Sequence, residues 1–427
     1  MGNENVTRCH DARIVVPQSP PHSREGFGGA ALLIAAVVLV TPLRFSATAV
    51  LPSLVDRWSL SATGAAWITV SLQLGFVIGA LAFAVSNLPD VVSPRWVFAI
   101  CAWGGAVANA LIAVEPIGVA SAMILRFITG VSLAGVYPPA LKIAAGLVNR
   151  RFRGRIMGLL VAAITLGSGV PYLLAGLVGG MRLPERPVLV ILSVSASIGG
   201  LLVARGLSQG AYAPPSARFD SKQIVRVFRN RAMLLTHLGY YGHMWELYGL
   251  WAWVAIFLAQ APAVAAEADR RAPLFLAFGI VSIAGPIGSI AAGWLADRYG
   301  RTAVTIGAMA VSGACCLLSA FIFHASWVIL VSVLVVWGVT AVADSAQFSA
   351  AVTELAQPEY IGTALTLQTC LGFALTMFPI WGLPLLADRV GWQFSFWALA
   401  PGPLLGCLAM AMLRYRPEAM RLADGRR

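Results

Sequence analysis

The sequence predicts an all-α integral membrane protein, with twelve transmembrane helices in two pseudo-symmetric six-helix bundles. Composition is the first reason: 59% of the 427 residues are hydrophobic, 11% are charged, and the mean hydropathy is +0.79. A chain of this kind has lipid and other helices as its main solvent, which argues against a soluble enzyme. Length is the second, because twelve apolar runs each reach the roughly 20 residues a helix needs to cross about 30 Å of hydrocarbon. Repetition is the third, since the second six runs follow the first six at an offset of about 207 residues.

In chain order the first six spans are read at 29–52, 63–86, 95–114, 118–147, 156–180 and 187–206. The second six are read at 232–260, 272–296, 303–323, 326–350, 360–387 and 391–413. Ahead of them the cytoplasmic tail 1–27 is polar and carries Pro17, Pro20 and Pro21. It leads into an apolar run too long for a cleavable signal core, so the first span is expected to stay. Bundles then occupy 28–206 and 232–413, joined by a cytoplasmic linker at 207–231 and followed by a cytoplasmic tail at 414–427. In the linker, Phe219, Val225 and Phe228 alternate with basic residues as in a short interfacial amphipathic helix.

The halves repeat in detail. RFRGRIMGLLVAAITLGSGVPYLL opens the fifth span and YIGTALTLQTCLGFALTMFPIWGL the eleventh, and a slide of 208 pairs Gly154 with Gly362 and Pro171 with Pro379. Asp90, after the second span, pairs with Asp297, after the eighth, at 207. Parallel repeats of six helices place a binding cavity at their interface near mid-membrane.

A net charge of +12 would suggest a nucleic-acid partner in a soluble protein, so the placement of the basic residues decides. With both termini in the cytoplasm, only Arg57, Arg182, Arg186, Arg270, Arg271 and Arg389 of the 30 Lys and Arg fall in outer loops. Inner clusters stand at Arg150, Arg151, Arg153 and Arg155, and at Arg218, Lys222, Arg226, Arg229 and Arg231. This positive-inside bias makes the lipid bilayer the partner and leaves no role for nucleic acid. Abundant Arg and Ala with two Lys fit a GC-rich bacterial gene, hence a bacterial cytoplasmic membrane. No CxxC spacing occurs among the six cysteines, so neither zinc nor a disulfide framework is implied.

Within the spans the clear acids and bases are Arg44 in the first, Arg126 and Lys142 in the fourth, Glu246 in the seventh and Asp344 in the tenth, joined by His243 in the seventh. A charge at the bilayer centre costs about 2.5–3.5 kcal/mol on the insertion scale, so these residues are expected to face one another or a wet cavity. THLGYYGHMWELYGLWAW sets His243 and Glu246 one turn apart on one face, with Tyr240, Trp245, Tyr248, Trp251 and Trp253 nearby. An acid beside an imidazole suits proton exchange, which makes Glu246, His243 and Asp344 the proton-coupling candidates. The competing reading has Glu246 simply neutralise Arg44 or Arg126.

Bases from the first half and acids from the second suggest an anion clamp facing a proton site. Arginine grips carboxylate or phosphate with two parallel hydrogen bonds. The cavity candidates are therefore Arg44 and Arg126 with Tyr240, Trp245, Tyr248 and Gln347, although a helix-packing role stands beside substrate contact for Arg126. Lys142 is close enough to the inner surface to snorkel. Gln73, Gln368 and Thr369 are read first as helix-to-helix hydrogen bonders.

GWLADRYGRTAV, residues 293–304, sits in the inner loop between the eighth and ninth spans and resembles the loop signature of the major facilitator superfamily. Gly293 suits a close helix approach, Gly300 a sharp turn, and Asp297, Arg298 and Arg301 lie beside helix termini. The resemblance implies that these residues latch neighbouring helices in one access state, through the start of the eleventh span and Glu354 or Glu359. The first-half loop, SNLPDVVSPRWV, keeps Asp90 and Arg95 but has Ser93 where the second copy has Gly300. LRFITGVSLAG, with Arg126, Gly130 and Gly135, is similar to the family's fourth helix. Family exporters carry a Gly-Pro pair that Gly167, Ser168, Gly169, Val170 and Pro171 only approximate. The resemblance covers 28–413 and implies that the first, fourth, seventh and tenth spans line a central cavity.

HExxH, a Gly-flanked serine with a paired base, and a phosphate loop are all missing, so neither an enzyme nor an ATP-driven machine is expected. The reading is a secondary active transporter working by alternating access, driven by the proton gradient without a cofactor, and moving a small organic solute, foremost an anion. A proton antiporter exporting amphipathic or cationic drugs is the alternative, and a non-transporting sensor or scaffold the lesser one. A monomer is sufficient for any of these.

Overall fold

The structure, a computed structural model, describes residues 23–86, 88, 92–114, 117–147, 150–179, 185–207, 220–267, 269–357 and 360–426. Its long helical segments are, in order, α1 (Phe27–Arg44), α2 (Ala62–Ser86), α3 (Pro94–Leu111), α4 (Val119–Ala144), α5 (Arg150–Val178), α6 (Glu185–Gly206), α7 (Arg231–Gln260), α8 (Ala272–Tyr299), α9 (Arg301–Ile322), α10 (Trp327–Leu355), α11 (Ile361–Val390) and α12 (Trp392–Arg414). Ten spans among the described residues are long and apolar enough to cross a membrane, in all of these helices but α3 and α7. The two exceptions both carry polar residues: Arg95 and Asn109 in α3, and His237, His243 and Glu246 in α7.

Several helices are interrupted where the chemistry sits. Pro42 lacks an N–H and forces the end of α1 into a 3-10 turn, Thr41–Arg44, before the short helices Ser46–Ala49 and Leu51–Trp58. Pro138 and Pro139 follow the break between Val119–Ala134 and Tyr137–Leu147 in α4. Between Trp327–Ala343 and Ser345–Leu355, α10 breaks at Asp344, and α8 holds a π-helical stretch, Gly279–Ala284.

Packing follows small residues. A methyl on Gly75 would overlap the Phe127 carbonyl, and one on Gly130 the Leu72 carbonyl, so α2 and α4 touch backbone to backbone. Gly288 and Val339 do the same for α8 and α10. Asn109 of α3 stitches three helices together. Its Oδ1 accepts from Ser46, and its amide donates to the Leu189 carbonyl and to Ser193 on α6. In addition α2 packs along α11, and α5 along α8, where Ser282 donates to the Leu166 carbonyl at 2.6 Å. Large apolar side chains such as Val107, Leu177, Phe321, Val328 and Leu405 point outward and are exposed, as a lipid-facing surface requires.

Two shorter segments pack against the long helices. The linker does form a short helix, Ile224–Arg229, but Val225 is exposed, Val227 is the buried residue, and Phe219 lies outside the described residues. Asn230 caps α7 by accepting from the Ala232 and Met233 amides. The C-terminal tail is docked: Pro417–Gly425 buries Ala419 and Leu422 against the apolar cluster that includes Val352, Leu355 and Met309.

Candidate functional site

Arg44 is the centre of the site. It is 5% exposed, and its guanidinium carbon lies 5.1 Å from the Phe76 ring, 5.6 Å from Tyr248 and 5.0 Å from Phe373, so α1, α2, α7 and α11 enclose it in aromatic faces. Nη1 donates to the Tyr248 hydroxyl at 2.8 Å, Nε is buried without a hydrogen-bond partner, and no acid pairs with Arg44 among the described residues. Cation–π contacts of this kind contribute about 0.5–2 kcal/mol each. They leave the charge itself uncompensated. Phe45 and Trp251 extend the aromatic wall, with Tyr248 5.6 Å from Trp251 and Phe45 6.0 Å from it. Tyr172 of α5 fixes that turn of α7 by donating to the Trp251 carbonyl at 2.6 Å.

Arg126, expected as a cavity base, lies elsewhere in the network. Fully buried, it donates to the Leu43, Arg44 and Ile68 carbonyls and to Ser46 Oγ. The broken turn of α1 frees those α1 carbonyls, and Arg126 satisfies them. It thereby holds the backbone of Arg44 in place, a positioning role in which each of its three guanidinium nitrogens already donates. Lys142 is half-buried on the inner part of α4.

The acids do not pair as the helical spacing suggested. Glu246 accepts from Trp337 Nε1 at 2.5 Å, Ser312 Oγ at 2.9 Å and Cys316 Sγ at 3.4 Å, all on α9 and α10. Neither His243 nor Arg44 nor Arg126 touches it, so the neutralisation reading has no counterpart among the described residues. His243 instead turns toward the break in α10, with Nδ1 2.8 Å from Asp344 Oδ1 and Nε2 2.9 Å from Ser345 Oγ. The first contact is close but not aligned as a hydrogen bond, which leaves Asp344 Oδ1 buried without one. Two separate buried acids result: Glu246 of α7 faces α9 and α10, and Asp344, at the break in α10, faces His243 of α7.

The remaining cavity candidates divide. Tyr248 joins the Arg44 cage. Tyr240 packs on His243 and Phe348 and fills the space beside Gly372 of α11. Trp245 faces α12, donating to the Ala398 carbonyl, and Trp253 likewise binds the Ile380 carbonyl of α11. Gln347 accepts from Arg301 at 2.9 Å and so belongs to the loop cluster, away from the cage.

In that cluster Arg301 binds Glu354 bidentately, Nε at 2.8 and 2.9 Å and Nη2 at 2.5 Å, which ties the start of α9 to the end of α10. The docked tail closes over it: the Ala423 amide donates to Glu354 Oε2 at 3.1 Å, and Arg426 donates to the Asp297 carbonyl. Beside it, hydrogen bonds from Arg416 hold the Glu418 carboxyl below its ordinary pKa. Gly300 has φ +94°, the left-handed region that the turn needs glycine for. Gly293 is different from expectation, because a methyl there would meet nothing within 4 Å, so no helix approaches it. Arg298 lies over the exposed rings of Trp294 and Tyr299. Asp90 and Glu359 are outside the described residues.

Sequence reasoning did not find Phe76, Phe373, Phe45, Trp337, Ser312 or Cys316. Apolar and small residues in an apolar span carry no local signal, and only the partner charge, placed by the tertiary fold, marks them.

The sequence model described as Major Facilitator Superfamily matches residues 32–379 and 272–426. Over 324 residues the chain is 25% identical to the niacin transporter NiaP of Acinetobacter baylyi, covering 68% of this chain and 70% of that one. It is 32% identical over 135 residues to the 3-(3-hydroxy-phenyl)propionate transporter of Escherichia coli, spanning about a third of each chain, 31% and 32%. Among solved structures the xylose transporter XylE from E. coli superposes with a TM-score of 0.69 at 16% identity, covering 92% of this chain and 98% of that one. The nucleoside transporter NupG gives 0.67 at 14%, over 91% and 99%. At such identities these likenesses show a shared fold.

Proposed function

Because the chain belongs to the Major Facilitator Superfamily, and is thus a secondary transporter of small solutes, we propose that it moves a small aromatic carboxylate together with protons. The observation that carries this is the buried Arg44, with no acid partner among the described residues, inside the Phe76, Tyr248 and Phe373 rings. A charge left alone in such a place is expensive, and a carboxylate supplies the missing partner through the free Nε edge. The rings then stack on the aromatic body of the same solute. Both sequence relatives are named for carboxylic acids that contain an aromatic ring, which supports the reading. A cationic drug entering this cage would meet a fixed positive charge, so the export reading loses weight.

Proton coupling is assigned to Glu246 and to the His243–Asp344 pair. Glu246 has only hydrogen-bond donors around it, an arrangement suited to the carboxylate, and gaining a proton changes which of those donors it keeps. That repacking between α7, α9 and α10 is the step by which a proton biases alternating access.

The wider frame of the proposal has α3 and α7 crossing the bilayer as well, for twelve spans. The bundles are 28–206 and 232–413, the α2–α11 and α5–α8 contacts are their mutual interface, and both termini lie on the cytoplasmic side of a bacterial inner membrane.

The test is uptake of radiolabelled nicotinate and benzoate into proteoliposomes, with a pH dye in the lumen, against a panel of cationic drugs. Carboxylate uptake accompanied by a pH change, absent with the drugs, is the expected result. Drug-evoked proton flux without carboxylate uptake would overturn it.

A further inference from the structure

Beyond Arg44, two groups around the cage are buried with unmet hydrogen-bonding capacity. Gln73 is fully buried, and among the described residues neither its Nε2 nor its Oε1 has a hydrogen-bond partner; Trp251 Nε1 is buried and equally unpartnered among them. Leaving an amide or an indole N–H in this state costs stability in the empty protein. Sequence reasoning made Gln73 a bridge between helices, yet it bonds to none.

Its placement says where it points. Thr69, Gln73 and Phe76 fall on one face of α2, at i, i+4 and i+7. Thr69 Oγ1 lies 3.0 Å from Thr48 Oγ1 in the continuation of α1. The Phe76 ring lies against the Arg44 guanidinium and 4.2 Å from the Phe373 ring. Between those two contacts, Gln73 faces the same interior as Arg44. Trp251 is one turn beyond Tyr248 on α7, its ring against both Tyr248 and Phe45.

We propose that Gln73 and Trp251 read a polar group on the substrate ring, so that the preferred solute is an aromatic carboxylate bearing a ring hydroxyl or a ring nitrogen. The proposal rests on the assignment of Arg44 to the carboxylate. Arg44 then holds one end of the solute, Phe76, Tyr248 and Phe373 take its faces, and Gln73 with Trp251 tests the other polar atom. Gln73 both donates and accepts and Trp251 only donates, which suits a hydroxyl oxygen or a pyridine-type nitrogen. A site built this way rejects the bare ring because its own buried groups stay unpaired, a discrimination that an apolar pocket lacks.

The experiment uses the full chain in proteoliposomes and compares KM for benzoate, 3-hydroxybenzoate and nicotinate in wild type, Gln73→Leu and Trp251→Phe. Wild type is expected to favour at least one polar acid over benzoate by roughly tenfold or more. Gln73→Leu is expected to erase that preference while keeping benzoate uptake, which also shows that the variant is folded. Trp251→Phe removes the N–H together with part of the ring, keeps an aromatic face and narrows the preference; it carries the test alone if Gln73→Leu is lost from the membrane. Equal KM values for the three acids in wild type, or a variant that weakens all three alike, overturns the proposal and leaves the carboxylate assignment standing. No uptake of any of the three by wild type overturns both.

Discussion

Arg44 and Glu246 are both buried charges, but they are solved in opposite ways. Arg44 has π faces and one hydroxyl around it, and it retains a donor edge. Arg44→Lys keeps the charge and loses the planar fork and the stacking, so KM for an aromatic carboxylate should rise about tenfold or more, the equivalent of about 1.4 kcal/mol, read by proteoliposome uptake. Glu246 is saturated by Trp337, Ser312 and Cys316. Glu246→Gln should abolish proton-driven accumulation and spare substrate exchange between preloaded vesicles, and normal pH-dependent accumulation in that variant would sink the coupling assignment. Arg44, Glu246, His243 and Asp344 all stood out in the sequence because charge in an apolar run is rare. Which of them touch was not legible, since one helical turn of spacing fixes a shared face and says nothing of what packs there. His243 and Glu246 share a helix and answer to different neighbours.

Among the helices, glycine position separates packing from motif. A side chain at Gly130 would drive into the Leu72 carbonyl, so Gly130→Val should cost about 1–3 kcal/mol as overpacking and lower the thermal midpoint in detergent. Gly293→Ala, within the loop signature, should leave the midpoint unchanged or raise it, because the added methyl meets open space and alanine suits a helix better. Residues of one loop motif thus sit in different surroundings, Gly300 at a turn with φ +94° and Gly293 against open space. Helix breaks were partly legible as well. Pro42 announces the end of α1, and Pro138 and Pro139 the interruption of α4. No proline marks the break at Asp344, whereas Gly285 and Pro286 follow directly on the π-helical stretch in α8.

For the whole molecule, the Arg301–Glu354 pair and the docked tail bind α8, α9 and α10 at one end. Part-exposed ion pairs contribute little singly, but this one is bidentate and covered by the tail. Arg301→Ala should therefore shift the access equilibrium, seen as faster thiol labelling of a cysteine introduced beside Gln347, with transport slowed. Unchanged labelling and transport would remove the latch role.

Composition, span length and charge bias determined, without any structure, that this chain lives in a membrane, and a twelve-residue loop pointed to its family. Those properties are additive along the chain, so a linear sequence carries them. The site is not additive. Arg44 acquires its meaning from Phe76, Tyr248 and Phe373 on three other helices, and of the two roles the sequence left open for Arg126 it takes packing, because a proline-broken turn offers it carbonyls. A buried charge takes its function from the neighbours that solvate it, and only the tertiary structure decides which neighbours those are.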